Sequence, residues 1–311
     1  MRYDRSMVND RDEASAEYSL GLDFVGKGEL EKARQAFERA LLLYPDHVDA
    51  QCELARLLAQ RGEWEEASVA FRRLLELTPS FGYGYIELGQ VLVALGRSLE
   101  AMRAFETALR WNPEDAFAMT NLAFSFRAKG EADKARPLFE KAIRIEPRME
   151  EAYQGLAGIL VEDGDLANAE AVLLAGEKAA VEPEKRGRLQ FSMGGLKAEQ
   201  GRFEEAIEWL RMSMRTNPAS GEVKILLVHA LIEADRYPEA SEALEAALEQ
   251  STGDAYLKAL LGAALEKLGR NAEAVAIFQE ALSLDPRCLE AEGPDLPGSY
   301  KRSLSACEKN Q

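Results

Sequence analysis

Small and large apolar residues recur along this chain at one fixed interval, separated by polar stretches. Ala33, Ala67, Ala101, Ala135, Ala169, Ala206, Ala240 and Ala274 hold the same position in eight successive segments. Four residues later stand Phe37, Phe71, Phe105, Phe139, Leu173, Leu210, Leu244 and Phe278. An i, i+4 pair shares one helix face, so the small residue admits a neighbouring helix and the large one fills its groove. A second signature precedes each alanine: Leu20-Gly21, Leu54-Ala55, Leu88-Gly89, Leu122-Ala123, Leu156-Ala157, Met193-Gly194 and Leu261-Gly262, with Leu227-Val228 as the exception. Each segment is therefore predicted to hold two short helices.

Prolines and glycines punctuate the pattern in phase. Pro45, Pro79, Pro113 and Pro147 lie 34 residues apart. Gly28, Gly62, Gly96, Gly130, Gly164, Gly201 and Gly269 mark the turn inside each segment, and only the segment at Asp235 lacks one. Turn signals after each helix predict repeated helix pairs rather than one globular core. Pro238 stands at the expected start of a second helix, where a missing N–H costs nothing.

These residues resemble the tetratricopeptide repeat, whose pattern runs Trp-x2-Leu-Gly-x2-Tyr, then Ala-x3-Phe-x2-Ala and a closing proline. The first repeat matches with Leu20, Gly21, Phe24, Ala33, Phe37, Ala40 and Pro45; the third with Tyr85, Leu88, Gly89, Leu92, Ala101, Phe105, Ala108 and Pro113. The eighth matches with Leu261, Gly262, Leu265, Ala274, Phe278, Ala281 and Pro286. The resemblance covers residues 14–288 in eight repeats and implies an all-α, right-handed superhelical solenoid of antiparallel helix pairs. Gly176, Val181, Lys197, Ser213 and Thr252 depart from the pattern and put local packing, not the fold, in question. In a solenoid each pair buries its apolar face against its neighbours, giving one elongated core.

Both ends and one junction fall outside the regular array. Residues 1–13 read as a polar N-terminal tail. Three extra residues near Pro183–Arg186 interrupt the period between the fifth and sixth repeats. A longer second helix in the fifth repeat or a looser turn would absorb them as a tolerated insertion. The sharper reading is a hinge at 182–186 between a five-repeat and a three-repeat block. After Pro286 the chain starts like a ninth repeat at Arg287–Glu292, then breaks at Gly293-Pro294 and Pro297-Gly298. Within the 289–311 tail, Ser299–Lys309 carries Tyr300, Leu304 and Cys307 at helical spacing. Two readings stay open: a short helix that caps the array, or a tail that leaves the last helix partly bare.

Composition narrows the chemistry. The 311 residues, 47% hydrophobic and 30% charged, would otherwise suit two or three compact domains. A formal net charge of −16 argues against nucleic acid and anionic membrane surfaces as partners. Neither a membrane span nor a signal-peptide core is visible, so a cytoplasmic location is expected. Three cysteines, Cys52, Cys288 and Cys307, lack disulfide or zinc spacing, and His47 and His229 are the only histidines. His47 falls in a turn between repeats and reads as solvated. Phosphate-loop, metalloprotease, nucleophile-elbow and Cys-x2-Cys motifs are missing. Paired carboxylates such as Glu65-Glu66 and Glu204-Glu205 sit at helix starts, where they complement the dipole. The expectation is a non-enzyme with no cofactor and no metal.

The resemblance also implies that first helices line a concave groove, through positions two, five, nine, twelve and thirteen of each repeat. The candidate partner-binding set is Tyr83, Ile86, Gln90, Phe117, Thr120, Asn121, Phe124, Arg127 and Gln154. Aromatic residues beside an arginine match the composition of interface anchors, although packing between first helices explains aromatics there equally well. Groove positions of the first four repeats carry Asp49 against Arg56 and Arg127, a net of +1; those of the last four carry six glutamates against Arg188 and Lys267, a net of −4. The basic and asparagine set with which chaperone-binding relatives clamp a terminal carboxylate is missing. Position six, which carries an asparagine ladder in relatives linked to N-acetylglucosamine transfer, reads Ser19, Glu53, Glu87, Asn121, Gly155, Ser192, Leu226 and Leu260, so Asn121 stands alone. The expected function is a peptide- or protein-binding adaptor whose ligand carries apolar anchors followed by basic residues. Rival expectations are a self-assembling homo-oligomeric scaffold and a targeting subunit of a separate enzyme such as a glycosyltransferase.

Overall fold

The computed structural model describes residues 5–250 and 253–286. The regular elements among them are sixteen α-helices, and the chain divides into two compact halves. The first half, residues 1–147, pairs α1 (Arg5–Gly26) with α2 (Leu30–Leu43), α3 (Val48–Gln60) with α4 (Trp64–Leu77), α5 (Gly82–Ala94) with α6 (Ser98–Trp111) and α7 (Ala116–Ala128) with α8 (Ala132–Ile145). The second half, residues 148–311, pairs α9 (Glu150–Glu162) with α10 (Leu166–Ala179), α11 (Pro183–Glu199) with α12 (Phe203–Thr216), α13 (Gly221–Glu233) with α14 (Tyr237–Gln250) and α15 (Ala255–Lys267) with α16 (Asn271–Leu284). No helix among the described residues is long and apolar enough to cross a membrane. The proposed ninth-repeat start and the Ser299–Lys309 helix lie outside the described residues.

The small–large pattern is the core of each pair. All eight signature alanines are fully buried, as are Phe37, Phe71, Phe105, Phe139, Leu210, Leu244 and Phe278. The aromatic ring of the second helix lies against the small residue of the first. A Cβ placed on Gly89 would fall 2.4 Å from Phe105 Cε1, and one on Gly21 would fall 2.4 Å from Phe37 Cε1. The Leu-Gly step thus leaves room for a ring rather than a bend.

Seven of the eight turns inside a pair use a glycine at φ between 70° and 76°; the seventh repeat places Asp235 there, at φ 57°. A Cβ on Gly96 would meet nothing within 4 Å. Its cost is therefore confined to the left-handed backbone. Gly96→Ala is expected to lower unfolding free energy by about 1 kcal/mol, read from the urea midpoint at unchanged m-value. A neutral result would mean that the turn relaxes out of this conformation.

Two boundaries differ from expectation. Helix α1 begins at Arg5 and absorbs most of the segment set apart as a polar tail. The three-residue insertion lengthens neither the fifth repeat's second helix nor its turn. Helix α10 keeps the 14 residues of the other second helices, whereas α11 has 17 against the 13 of α9 and α13. Pro183 starts α11 where its missing N–H is harmless, so the extra residues become an additional helical turn. Residues 183–186 are consequently helical, and the division between halves falls at Pro147–Arg148.

The extra turn has a partner. Lys185, within it, approaches the fully buried Glu150 carboxylate at 3.8 Å, and Arg188, just beyond it, pairs with the same carboxylate. Each of three sequence departures is likewise matched by a compensating contact. Tyr153 covers Gly176, where a Cβ would fall 2.7 Å from its ring. Ser213 donates to the Gly187 carbonyl at 2.8 Å. Lys197, only 2% exposed, reaches Glu170 at 2.6 Å and Glu205 at 3.4 Å.

Candidate functional site

In the first half, the exposed side of the first helices carries most of the candidate set. Position two supplies Tyr83 and Phe117, 48% and 37% exposed, and position nine supplies Phe124, also 37% exposed. Helix α7 positions Phe117 and Phe124 because Asp115 caps its start, accepting the Ala118 N–H at 2.8 Å. That cap satisfies a helix-end donor and fixes where the first turn begins. Phe124 stacks edge-on against buried Phe139 at 5.0 Å between centroids, so one side anchors it to α8 while the rest meets solvent. Gln90 is exposed and Arg127 half-buried. Asn121 donates to the Phe117 carbonyl at 2.9 Å on its own helix.

Two expected groove residues turn inward instead. Ile86 is 1% exposed and belongs to the core shared by the first four repeats. Thr120 is 3% exposed, and its hydroxyl donates to the Ala116 carbonyl at 2.8 Å. Both occupy position five, which faces the neighbouring first helix rather than solvent here. Gln154 belongs to the second half, where its amide donates to Ser192 Oγ at 2.9 Å and to the Arg188 carbonyl at 3.2 Å.

A charged cluster adjoins Tyr83 and includes residues at position six that the expected lining positions omitted. Arg56 lies 5.4 Å from the Tyr83 ring centre, 3.4 Å from Glu53 and 3.9 Å from Glu87. Guanidinium over a ring is a favourable electrostatic contact. Glu87 also accepts a hydrogen bond from Tyr83, which together with partial burial raises the phenol above its ordinary range. Adding Glu53 and Glu87 to the exposed face turns its net charge from +1 to −1. The sequence signal was the i, i+3 spacing of Glu53 and Arg56. Cys52 sits beside them, its thiol pushed up chiefly by burial, which disfavours the reactive thiolate.

In the second half, Glu162, Glu199 and Glu222 are exposed, and Glu151, Glu233 and Glu266 are half-buried. Burial, and secondarily the charge of Glu150, holds the Glu151 carboxyl above its usual range. His229 Nε2 and Tyr256 Oη lie 2.8 Å apart, tying α13 to α15. His47 is not a solvated turn residue. It caps α3, its Nδ1 accepting the Ala50 N–H at 3.3 Å, and its ring rests 5.1 Å from that of Tyr18.

Helix pairs repeated in one register, each presenting a first-helix face and a second-helix face, define a helical-repeat protein of the solenoid class. The chain belongs to the tetratricopeptide repeat family, whose sequence profiles match residues 18–80, 86–150, 126–186, 197–264 and 255–288. No curated protein matches the chain. Among solved structures, a protein described as Pseudomonas aeruginosa pilF is 22% identical, with TM-score 0.55 over 69% of this chain and 97% of that one. PilW, described as a widely conserved type IV pilus biogenesis factor, is 19% identical, with TM-score 0.58 over 69% of this chain and 98% of that one. A chain of the APC/C hetero-tetramer Cut9-Hcn1 is 18% identical, with TM-score 0.59 over 89% of this chain and 52% of that one. At these identities the likeness establishes the fold.

Proposed function

We propose that the chain is a non-catalytic adaptor that binds an extended segment of a partner protein along its first helices. The carrying observation is the solvent-facing group of Tyr83, Phe117 and Phe124, which has Arg127 on the same helix as the last two. Exposed aromatics held on rigid helices lose little entropy on binding, which is why a few such anchors supply most of an interface's energy. Acidic side chains at Glu53 and Glu87 suit a ligand with basic residues beside its apolar ones. In the second half the six glutamates extend the same preference. The Cut9-Hcn1 assembly, in which a chain of this fold is solved as part of a hetero-tetramer, is consistent with such a role.

The test compares proteins retained by immobilised wild type with those retained by Phe117→Ala, Arg127→Glu and a control, Glu106→Gln, at an exposed position of a second helix. Phe117 is preferred to Phe124 because truncating Phe124 would also unpack Phe139. At least one partner should fall tenfold or more with the first two variants and be unchanged with the control. Equal recovery of every partner by all four proteins would remove the groove as placed.

One observation favours homo-oligomeric assembly as a second reading. Leu42, Val69, Leu99 and Trp111 on second helices of the first half are 83%, 69%, 62% and 54% exposed. Exposed apolar side chains of this size suit a protein contact. Light scattering across a concentration series separates the readings, since a strict monomer rules out self-assembly.

A further inference from the structure

Arginines on the second helices of the first half fall into two groups. In α2 and α4 each one is paired: Arg34 with Glu38, Arg39 with Glu17, Arg72 with Glu100 and Arg73 with Asp46, at 2.6–2.9 Å. In α6 and α8, Arg103, Arg110 and Arg144 are exposed and make no ion pair among the described residues. Arg110 and Arg144 stand in last turns, where a cation complements the helix dipole, but Arg103 lies mid-helix. Beside them Trp111 and Ile145 are 54% and 38% exposed. Helices α6 and α8 together hold six bases against four acids, a net of +2 in a chain of −16.

Helix α14 carries the opposite pattern. Glu239, Glu242, Glu245 and Glu249 give it a charge of −4 with no base. Among the described residues only Glu239 is ion-paired, to Arg211 and Arg236, and the other three are exposed. Glu242 and Glu249 stand four before and three after Ala246, so they share its helix face. Ala246 lines an open groove with Met214, Ile225, Val228, Ala243 and Leu257. Grooves at the equivalent places of the second and third repeats differ in chemistry: their linings hold the ion pairs Arg34–Glu66 at 2.7 Å and Arg72–Glu100 at 2.6 Å. In the seventh repeat the charged lining residues are Lys224, which already has a partner, and Asp254, whose carboxylate caps α15. The groove is therefore apolar, with an acidic helix at its edge. The sixth repeat carries half-buried Trp209 at the position of Ala243, so an indole suits this place.

An exposed indole beside unpaired arginines and an apolar groove beside unpaired glutamates complement each other, and one chain carries both. We propose that a second copy of this chain docks its α6 and α8 face on α14, seating Trp111 in the groove with Arg110 and Arg144 at Glu245 and Glu249. The contact joins two different faces, so each added copy presents both again. It rests on the self-assembly reading and names the surfaces involved. Repulsion between copies of −16 is screened beyond about 8 Å at physiological salt, whereas charges in contact are screened much less.

Sedimentation velocity of the full chain over a concentration series, at about 0.15 M salt, tests the contact. Wild type should gain mass as concentration rises. One variant, Arg110→Glu with Trp111→Ala, and another, Glu245→Lys with Glu249→Lys, should each need at least about tenfold higher concentration to associate, because each loses the charge complementarity of the contact. Mixed in equal amounts, they should recover the wild-type affinity and stop at a 1:1 pair. Only the first then keeps the glutamates, and only the second keeps Arg110 and Trp111. Recovery in the mixture also shows that both variants are folded. A wild type that stays monomeric overturns the contact together with the self-assembly reading, and leaves the groove to a foreign cationic segment. Association of the second variant at wild-type concentrations overturns the contact alone, as does a mixture of folded variants, judged by unchanged helical content, that fails to recover.

Discussion

Phe105→Ala is expected to cost about 4 kcal/mol of unfolding free energy. The ring is fully buried and lies on the backbone of Gly89, in the core shared by the first four repeats. Truncation removes the transfer energy of the ring and leaves a cavity that two rigid helices cannot close. Loss should also be local at first. In a repeat array each helix pair is stabilised mainly by its neighbours, so weakening one interface uncouples the array there. Hydrogen exchange should accelerate most in α5 and α6 and least in α15 and α16. Trp64 and Trp111 report on the first half and Trp209 on the second, so the two should lose their common urea midpoint. Phe105→Leu should cost far less, because Leu173, Leu210 and Leu244 hold the same position in other repeats. A loss below 1 kcal/mol, or exchange quickened equally throughout, would contradict this account.

The features that repeat were legible in the sequence, and those that depend on one neighbour were not. Signature alanines, large partners and turn glycines are fixed by helix geometry, which is the same in every repeat. Position five shows the limit. Ile86 and Thr120 are buried there, whereas Ile225 is 37% exposed at the equivalent place. Exposure at that position depends on the bulk of the adjacent first helix, and a spacing rule carries no such information. The insertion could be located to within a few residues, but the element absorbing it depended on Pro183 starting a helix rather than ending a turn. Tyr83, Phe117 and Phe124 reach solvent. The Glu53–Arg56 spacing on one helix was legible, but its junction with Tyr83 and Glu87 was not, because both lie on the first helix of the next repeat.

Lys197 offers the second large effect, and it separates packing from charge. Seven repeats place Phe24, Leu58, Leu92, Phe126, Leu160, Leu231 and Leu265 at its position, so an ammonium stands where hydrocarbon is the rule. It is 2% exposed, while its partners Glu170 and Glu205 retain 27% and 44% of their side-chain exposure. Lys197→Ala removes a buried stem and leaves a cavity, and is expected to cost about 3 kcal/mol. Lys197→Leu restores the apolar volume, and the released carboxylates can turn to water. Replacing a buried ion by well-packed hydrocarbon is often close to neutral, so this variant should stay within about 1 kcal/mol of wild type. Acid titration gives a signature that packing alone would not move. The Lys197 hydrogen bond is the main cause holding the Glu170 carboxyl below its usual range. A depressed carboxylate contributes stability above its unfolded value of about 4.3, and that contribution fades as pH falls through the folded value. Wild type should therefore lose stability below about pH 4.3 more steeply than Lys197→Leu, as read from urea midpoints across the acid range. Parallel acid limbs would show that the ion pair contributes nothing to the fold, and that Lys197 is held there by its hydrocarbon stem alone.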